Sequence, residues 1–473
     1  MSGQILAIDQ GTHSSRALVF DVTGRLIGSA QQGIALHRIS RARIEQSADE
    51  ILHTTQTVIR KVLEHPAVDR DQLCCAGLAT QRSSVLGWDR ESGSALGPLL
   101  SWQDRRAAAR LTRLADKRHR IHQLTGLQLS PHYGASKLQW LLENNDDVKA
   151  SNDNGTLALG PLASYLLHHL TDCAHDSIDD ANAARTLLWN IDTHDWDAEL
   201  CTLFDIPPAV LPRRRPIRSN FGCLSNAAIP LTACNGDQTA ALYARGQPDR
   251  DSLYINIGTG AFVILPVAGL TTPTGGLLTG ISSSWQSSAE YFAEGTVNSA
   301  AAALKWVAAR YKLEDHAASL PAWLDRINSP ALFINTLGGL GSPWWKDGPA
   351  AYFTDSEVSG EVAMVAAVES IVFLIQANLA HLRPLNPSIN GIRISGGLAN
   401  VDAVCQKIAD LSGLPVERPV QVEATARGIA WLAAACPSSW EPGGIEQTFI
   451  PRTNAGLYGR YARFMEILQS SGG

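Results

Sequence analysis

The segment Asp9-Gln10-Gly11-Thr12-His13-Ser14 groups a carboxylate, a glycine and hydroxyl side chains directly after a short apolar run. Glycine lets the backbone approach a phosphate closely, and free N–H groups with Thr or Ser hydroxyls can bind phosphoryl oxygens. A carboxylate such as Asp9 suits Mg²⁺, which binds a few carboxylates together with waters and phosphates. Because the same residue types also form ordinary hairpin turns, the segment alone leaves a simple turn and a phosphate site as alternatives.

A second segment, Gly236-Asp237-Gln238, precedes a helix predicted over Thr239–Ala244. An Asp directly before a helix commonly caps it by accepting a hydrogen bond from a free backbone N–H group. The same carboxylate could act as a general base that takes a proton from an attacking hydroxyl group. The two roles are compatible, and the segment alone does not choose between them.

The third segment, Gly258-Thr259-Gly260, lies between the apolar runs 253–257 and 261–265. This pattern predicts a β-hairpin, as does the pattern around Gly11-Thr12, where the apolar runs are 5–8 and 17–20. The two Gly-Thr turns are about half the chain length apart. We therefore expect a molecule built from two related halves.

The elements around these segments indicate an α/β protein. Apolar residues at spacings of three and four predict a helix over 361–382, which Pro384 ends. A strand at 392–394 then leads through Gly396-Gly397 into a helix over 400–411, which places a glycine turn where open α/β sheets bind ligands. Further helices are predicted at 107–114, 137–143 and 297–309, and loops at 207–216 and 337–348.

Composition excludes several classes of protein. The chain has 473 residues, a net charge of −6, 45% hydrophobic residues and 18% charged residues. This mild acidity argues against a general binder of nucleic acid or of anionic membranes, and the length predicts two or three domains. No apolar run reaches the ~18 residues of a membrane span, and no signal peptide precedes Asp9, so we expect a cytoplasmic protein that contacts neither nucleic acid nor membrane.

Several common catalytic motifs are absent from the sequence. It contains no G-x-x-x-x-G-K-[ST] phosphate loop and no G-x-G-x-x-G after a strand. It also contains no G-x-S-x-G nucleophile turn, which disfavours an α/β-hydrolase-like enzyme, and no H-E-x-x-H metal motif.

Taken in order, the motifs resemble the FGGY carbohydrate kinase family of the actin/hexokinase/sugar-kinase superfamily, and within it the glycerol kinases. The resemblance runs from residue 5 to about residue 435, and only the ordered set makes it specific. The supporting stretches are AIDQGTHSSRALVFD, TQR at 80–82, SWQDRR at 101–106, TGLQLSP at 125–131, NAARTLLWNIDTHDWD at 182–197, NGDQTAAL at 235–242, NIGTGAF at 256–262, EGTVNSAAAALKW at 294–306, GGLGSPWW at 338–345 and SGGLAN at 395–400.

The resemblance implies a two-lobed, actin-like ATPase architecture of duplicated ribonuclease H-like domains, with mixed sheets flanked by helices. It implies an N-terminal domain over 1–243, which binds the acceptor and carries the general base, and a C-terminal, nucleotide-binding domain over 244–473. It also implies transfer of the γ-phosphoryl group of ATP to a polyol or sugar hydroxyl, with Mg²⁺. A homodimer is a further expectation.

By the same resemblance, Asp237 matches the general base and Asp9 the carboxylate near Mg²⁺. The implied nucleotide-binding residues are Gly11, Thr12, Ser14, Gly258, Thr259, Gly396, Gly397 and Asn400. The implied acceptor-binding residues are Arg82, Ser83, Trp102, His132, Asp237, Gln238 and Phe262.

Two of these positions depart from the glycerol kinase pattern, which has glutamate where this chain has Ser83 and tyrosine where it has His132. Losing a carboxylate that accepts hydrogen bonds in such a pocket matters, because each unpaired buried polar group costs ~1–3 kcal/mol. The acceptor therefore stays open among glycerol, a larger polyol, a ketopentose and another small sugar. The alternative function is an ATP-binding sensor on the same fold that hydrolyses ATP or has no catalytic activity.

Overall fold

The structure is a computed structural model, and it describes residues 3–172, 176–225, 227–270, 276–420 and 423–470. The described chain divides into two compact units. The first comprises Met1–Pro248, Gly280–Tyr291 and Gln421–Pro442, and the second comprises Asp249–Thr279, Phe292–Val420 and Gly443–Gly473. The domain boundary expected at 243/244 stays a prediction.

The elements up to residue 248 all belong to the first unit. The strands are β1 (Gln4–Gln10), β2 (Ser14–Asp21), β3 (Leu26–Gly33), β4 (His37–Arg38), β5 (Ile44–Gln46), β6 (Leu73–Thr80), β7 (Val85–Asp89), β8 (Leu99–Leu100), β9 (Leu157–Pro161), β10 (Ser177–Asp179), β11 (Trp189–Asn190), β12 (Asp195–Trp196), β13 (Arg213–Arg215) and β14 (Leu231–Gly236). The helices are α1 (Ala48–Leu63), α2 (Arg118–Thr125), α3 (Gly134–Asn144), α4 (Asp146–Asp153), α5 (Leu162–Leu170), α6 (Asp180–Ala184), α7 (Ala198–Leu203) and α8 (Asp237–Ala241).

The remaining elements follow in chain order. The strands are β15 (Ser252–Ile257), β16 (Ala261–Val267), β17 (Leu278–Trp285), β18 (Ser288–Val297), β19 (Phe333–Ile334), β20 (Tyr352–Phe353), β21 (Gly391–Ser395), β22 (Val416–Pro419) and β23 (Ile445–Phe449). The helices are α9 (Ala301–Tyr311), α10 (His316–Arg326), α11 (Gly360–Leu382), α12 (Asp402–Ser412), α13 (Ala424–Ala433) and α14 (Ala455–Ser470).

A five-stranded sheet in the order β14-β6-β1-β2-β3 forms the centre of the first unit. Strand β1 is antiparallel to β2 and parallel to β6, which in turn is parallel to β14. All seven residues of β1 are buried, as expected for a strand covered on both faces. Helix α1 packs on β2 and β3, and helix α13 packs on β1, β6 and β14.

The second unit contains the strands β16-β15-β21-β22-β23, which are hydrogen-bonded in that order. Here β15 is antiparallel to β16 and parallel to β21, and β21 is parallel to β22. The order β16-β15-β21-β22 thus repeats the orientations of β2-β1-β6-β14. This repetition confirms the expected pair of hairpins, and mixed sheets flanked by helices match the α/β class inferred from the sequence.

Two expectations about single elements are wrong. The helix predicted at 107–114 is a 3₁₀ helix over Ala108–Lys117. The loop predicted at 207–216 contains strand β13, because Arg214 forms an ion pair with the fully buried carboxylate of Asp180 and the strand pairs with β10. The segment Gly360–Leu385 has the length and hydropathy of a membrane span, but 89% of its most apolar window is buried, as in the core helix of a globular protein.

A close approach of two backbones in the first unit generates the first prediction. A side chain at Gly428 of α13 would overlap the carbonyl oxygen of Ala240 in α8. Because overpacking typically costs ~1–3 kcal/mol, Gly428→Ala should lower the free energy of unfolding by about that amount in urea titrations.

Gly459→Ala in α14 is the matched control, because nothing lies within 4 Å of the methyl group it would add. Alanine favours a helix over glycine by ~1 kcal/mol, so this variant should be as stable as wild type or slightly more stable. Equal free energies of unfolding for the two variants would contradict the packing argument.

Candidate functional site

Three parallel strands of the first unit end in one row at the same edge of its sheet. The register pairs Gln10 of β1 with Thr80 of β6, and Thr80 with Gly236 of β14. The residues that follow these strands therefore begin side by side, although they are far apart in sequence. This edge carries both the Asp9–Ser14 segment and Asp237.

The first of these segments is a tight turn between β1 and β2. The backbone N–H of Gly11 donates to the carbonyl oxygen of Ser14 at 3.0 Å, which closes the turn around Thr12. Asp9 pairs across the hairpin with Arg16, whose guanidinium donates to Asp9 Oδ2 and to the carboxylate of Glu423. Arg16 thus holds the carboxylate of Asp9 at the base of the turn.

The carboxylate of Asp9 is 2% exposed, and burial is the main reason why its pKa rises to about 6. The positive charge of Arg16 opposes this rise, whereas the negative charges of Asp237 and Glu423 add to it. Asp9 and Asp237 are therefore electrostatically coupled, even though 228 positions separate them in the sequence.

Helix α8 begins at Asp237 itself, with Gly236 at the capping position. Asp237 Oδ1 accepts a hydrogen bond from the backbone N–H of Gln238 at 2.7 Å and lies 3.9 Å from Nε of Arg82. The alternative in which Asp237 caps the helix is therefore wrong. Its side chain is 27% exposed, and burial raises its pKa while the charge of Arg82 lowers it.

Gly236 makes room for Arg82 at this edge. A Cβ atom at Gly236 would lie 2.5 Å from the Cγ and Cδ atoms of Arg82, so any larger residue would displace that side chain. In its observed position the guanidinium of Arg82 donates to the side-chain oxygen of Gln238. The structure thus brings together Arg82, Asp237 and Gln238, three of the residues predicted to bind the acceptor.

Trp102 and His132 extend this group. The indole N–H of Trp102 donates to the hydroxyl oxygen of Thr12 at 3.0 Å, and its ring meets that of His132 edge-on at 5.7 Å. Accepting this hydrogen bond leaves the hydroxyl proton of Thr12 free to donate to another group. The predicted acceptor residues therefore contact the predicted phosphate turn directly.

Ser83, whose residue type departs from the glycerol kinase pattern, also has an uncommon backbone conformation. Its φ of 63° lies in the left-handed region, and the residue is 2% exposed. Its hydroxyl group donates to the backbone carbonyl of Arg185 at 3.4 Å, a long hydrogen bond. A buried hydroxyl with a weak partner thus occupies the position that carries a carboxylate in the glycerol kinase pattern.

Buried glutamine side chains connect the turn to the acceptor residues. Gln81 donates to the side-chain oxygens of Gln46 at 3.0 Å and Gln10 at 3.3 Å, and Gln46 donates to the carbonyl of Thr12 at 2.9 Å. Ser84 joins Gln81 to the backbone N–H of Trp102. Such networks rigidify a site when every member has its partners.

Sequence reasoning missed two buried cations near these residues. Arg185 follows α6 and is 5% exposed, and Lys137 in α3 is fully buried. Burial lowers the pKa of His132 well below its usual value, and the positive charges of Lys137 and Arg185 add to that effect. Arg185 lies within the stretch at 182–197 that supports the family resemblance, but neither residue type nor spacing marked it.

The second unit brings together its own glycine segments. Because β15 and β21 are parallel neighbours, Gly258 and Gly396 follow strands that end at the same edge. Gly396 has a φ of 92°, and a Cβ there would lie 2.5 Å from the carbonyl oxygen of Ile257. Nothing lies within 4 Å of a Cβ at Gly397, and Asn400 is exposed at the end of the following 3₁₀ helix.

The turn at 258–260 also anchors a helix. The backbone N–H groups of Ala300 and Ala301 donate to the carbonyls of Thr259 and Gly258 at 2.8 and 3.1 Å. Phe262 lies on β16, opposite Asn256, in this same unit. The predicted acceptor residues thus belong to two units, with Phe262 in the second and the others in the first.

The described residues contain no group of three or more His, Cys, Asp or Glu side chains able to hold a metal. Mg²⁺ needs less, because one or two carboxylates hold it together with waters and phosphates. Of the two carboxylate oxygens of Asp9, Oδ2 accepts a hydrogen bond from Arg16, and no side chain in the described part of the protein donates to Oδ1. Oδ1 is therefore the atom able to face a cation. The residues present therefore fit Mg²⁺ bound mainly by phosphates.

Comparison with known proteins covers nearly the whole chain. The profile of the "FGGY family of carbohydrate kinases, N-terminal domain" matches residues 4–243, and that of the C-terminal domain of the same family matches residues 253–436. Glycerol kinase from Alcanivorax borkumensis is 34% identical over 446 residues, covering 91% of this chain and 88% of that protein. Glycerol kinase from Aromatoleum aromaticum is 35% identical over 460 residues, which cover 94% of this chain and 91% of that protein.

Among solved structures, the crystal structure of Plasmodium falciparum glycerol kinase with ADP superposes with a TM-score of 0.89. The two sequences are 24% identical, and the superposition covers all of this chain and 99% of the Plasmodium chain. This likeness shows the fold.

The pKa of Asp9 yields a prediction about stability. The carboxyl has a pKa of 3.8 in the unfolded chain and about 6 in the folded protein, so the folded protein binds the proton more tightly. The resulting stabilisation is fully present below pH 3.8 and is lost as the pH rises through about 6. A shift of about two pKa units corresponds to ~3 kcal/mol.

Urea titrations of wild type and Asp9→Asn between about pH 4 and pH 7 would test this. Wild type should lose free energy of unfolding relative to the variant as the pH rises through this range. Parallel pH profiles for the two proteins would contradict the raised pKa.

Proposed function

Because the chain belongs to the FGGY family of carbohydrate kinases, we propose that it transfers the γ-phosphoryl group of ATP to a hydroxyl group of a small polyol or sugar, with Asp237 as general base. One observation carries the proposal: strand register brings Asp237 to the same sheet edge as the glycine- and hydroxyl-containing turn after Asp9. A phosphate on that turn would therefore be near a base.

In the proposed reaction, Asp237 takes the proton of the acceptor hydroxyl as its oxygen attacks the γ-phosphorus, and ADP leaves. The raised pKa of Asp237 favours this role, since a base works best when its pKa is not far below the working pH. Arg82 and Gln238 would hold the acceptor by donating to and accepting from its hydroxyl groups. Trp102 and Phe262 are the aromatic residues that we propose pack on its carbon chain.

For the nucleotide, we propose Gly11, Thr12 and Ser14 in the first unit and Gly258, Thr259, Gly396, Gly397 and Asn400 in the second. Mg²⁺ would be held by Asp9 and the phosphates, where it supplies positive charge to the phosphoryl oxygens. Positioning and electrostatics account for most of the catalysis in such reactions. A cytoplasmic location and a homodimer stay predictions from the sequence.

An ATP-binding sensor without transfer activity is not favoured. A pure nucleotide binder has no need of a second carboxylate beside Arg82 and Gln238. The family match, which covers both domains of a carbohydrate kinase, also argues for transfer.

ADP production in the presence and absence of acceptors tests the function. With glycerol, erythritol, ribulose or xylulose as candidate acceptors, at least one should raise the rate above basal hydrolysis. Asp237→Asn should lower that rate ~10²–10⁴-fold, the usual contribution of a general base, without changing the Kd for ATP. Basal hydrolysis unaffected by any acceptor would contradict the kinase, and loss of ATP affinity in Asp237→Asn would contradict the role of this residue.

Ser83→Glu tests the acceptor pocket. A carboxylate at this position should accept hydrogen bonds from glycerol hydroxyls and raise kcat/KM for glycerol about tenfold, which corresponds to ~1.4 kcal/mol and includes the cost of a longer side chain at positive φ. Ser83→Gln is the control, because it adds the same volume without the charge. An equal change in kcat/KM for both variants would show that volume, not charge, determines acceptor choice.

A further inference from the structure

Lys137 is a buried cation that the proposed reaction does not use. It lies in α3 and is fully buried, and its Nζ donates to three backbone carbonyl oxygens. These belong to Ser83 at 2.7 Å, His132 at 2.8 Å and Ser101 at 3.2 Å. An ammonium group has three N–H donors, so this set uses all of them.

The three carbonyls lie in three separate segments of the chain. Each segment carries a residue proposed to bind the acceptor: Ser83 and the preceding Arg82 in the first, Trp102 directly after Ser101 in the second, and His132 in the third. Without Lys137, three carbonyls would face one another around a buried space with no donor. One side chain therefore joins the backbone of all these segments.

The charge of Lys137 has no carboxylate partner within ion-pair distance in the described part of the chain. Burial lowers the pKa of Lys137 well below its usual value, and the negative charge of Asp104 opposes this shift. Asp104 itself accepts hydrogen bonds from Arg106 and from the backbone N–H of Ile44. Burying an unpaired ammonium is costly, and carbonyl dipoles offset the cost only while all three stay in place. A cation held in this way fixes the relative positions of its acceptors.

We propose that Lys137 is a positioning residue that sets the geometry of the acceptor site through the backbones of Ser83, Ser101 and His132. The inference rests on the proposed function for the identity of the site. It adds that acceptor affinity depends on a side chain that does not touch the acceptor.

Lys137→Met tests the proposal, because it keeps the chain length and removes the donors. The KM for the best acceptor should rise ~10–100-fold, the effect of displacing positioning groups by about 1 Å, while the KM for ATP stays within about twofold. Lys137→Gln, which keeps two N–H donors, should fall between Lys137→Met and wild type. Lys149→Met is the control, since Lys149 is an exposed lysine paired with Asp146 on the surface, and it should behave as wild type.

Hydrogen–deuterium exchange of the same proteins gives a readout that needs no activity. The backbone amides of Lys137→Met should exchange faster than those of wild type in the segments around 81–84, 100–104 and 130–134. In β22 of the second unit, the exchange rates of the two proteins should be equal. If wild type phosphorylates none of the acceptors, the proposed function is wrong, and exchange alone decides on Lys137.

Three results would overturn the inference. The first is exchange in Lys137→Met equal to wild type in those three segments. The second is faster exchange in those segments while the KM for the acceptor is unchanged, or while the KM for the acceptor and the KM for ATP rise equally. The third is failure of both Lys137 variants to fold, because the lysine would then hold the whole fold and not the site.

Discussion

The parallel hydrogen bonding of β1, β6 and β14 is the constraint on which the rest of the first unit depends. Parallel strands run in the same direction, so their carboxyl ends meet at one edge, and the register sets Gln10, Thr80 and Gly236 in a single row. A shift of one residue would reverse which side chains face each side of the sheet. Asp9 and Asp237 influence each other only because this register holds.

Around that row, polar groups are buried in an arrangement that satisfies them. The glutamines at 10, 46 and 81 bond to one another and to the turn, and Arg16 binds Asp9. Buried polar groups without partners are expensive, so each partner restricts the conformations open to the others. The result is a preorganised edge, which phosphoryl transfer needs because position and charge account for most of its catalysis.

Much of the local structure could be predicted from the sequence, because it depends on neighbouring residues. Both hairpins and the succession of α11, β21 and α12 follow from apolar periodicity and from the positions of glycine and proline. The contact between Arg82 and Asp237 could not be derived in this way, since it depends on strand pairing over more than 150 residues. Lys137 shows the same limit, because only the assembled fold reveals that three distant carbonyls surround it.

The error at residues 207–216 has a physical cause of the same kind. The prolines of this segment predict a loop, whereas Arg214 of strand β13 forms an ion pair with the buried carboxylate of Asp180, a partner that is distant in the sequence. Helix α11, by contrast, matches its predicted bounds to within one residue, because apolar spacing and Pro384 define it locally.

The hydrogen bond between Trp102 and Thr12 has a thermodynamic consequence. If Thr12 faces the phosphates and Trp102 faces the acceptor, this contact makes the two substrates energetically dependent on each other. Linkage then requires reciprocity: the factor by which the acceptor changes the affinity for ATP must equal the factor by which ATP changes the affinity for the acceptor. Substrate synergy would thus arise within a single unit, through one indole and one hydroxyl group.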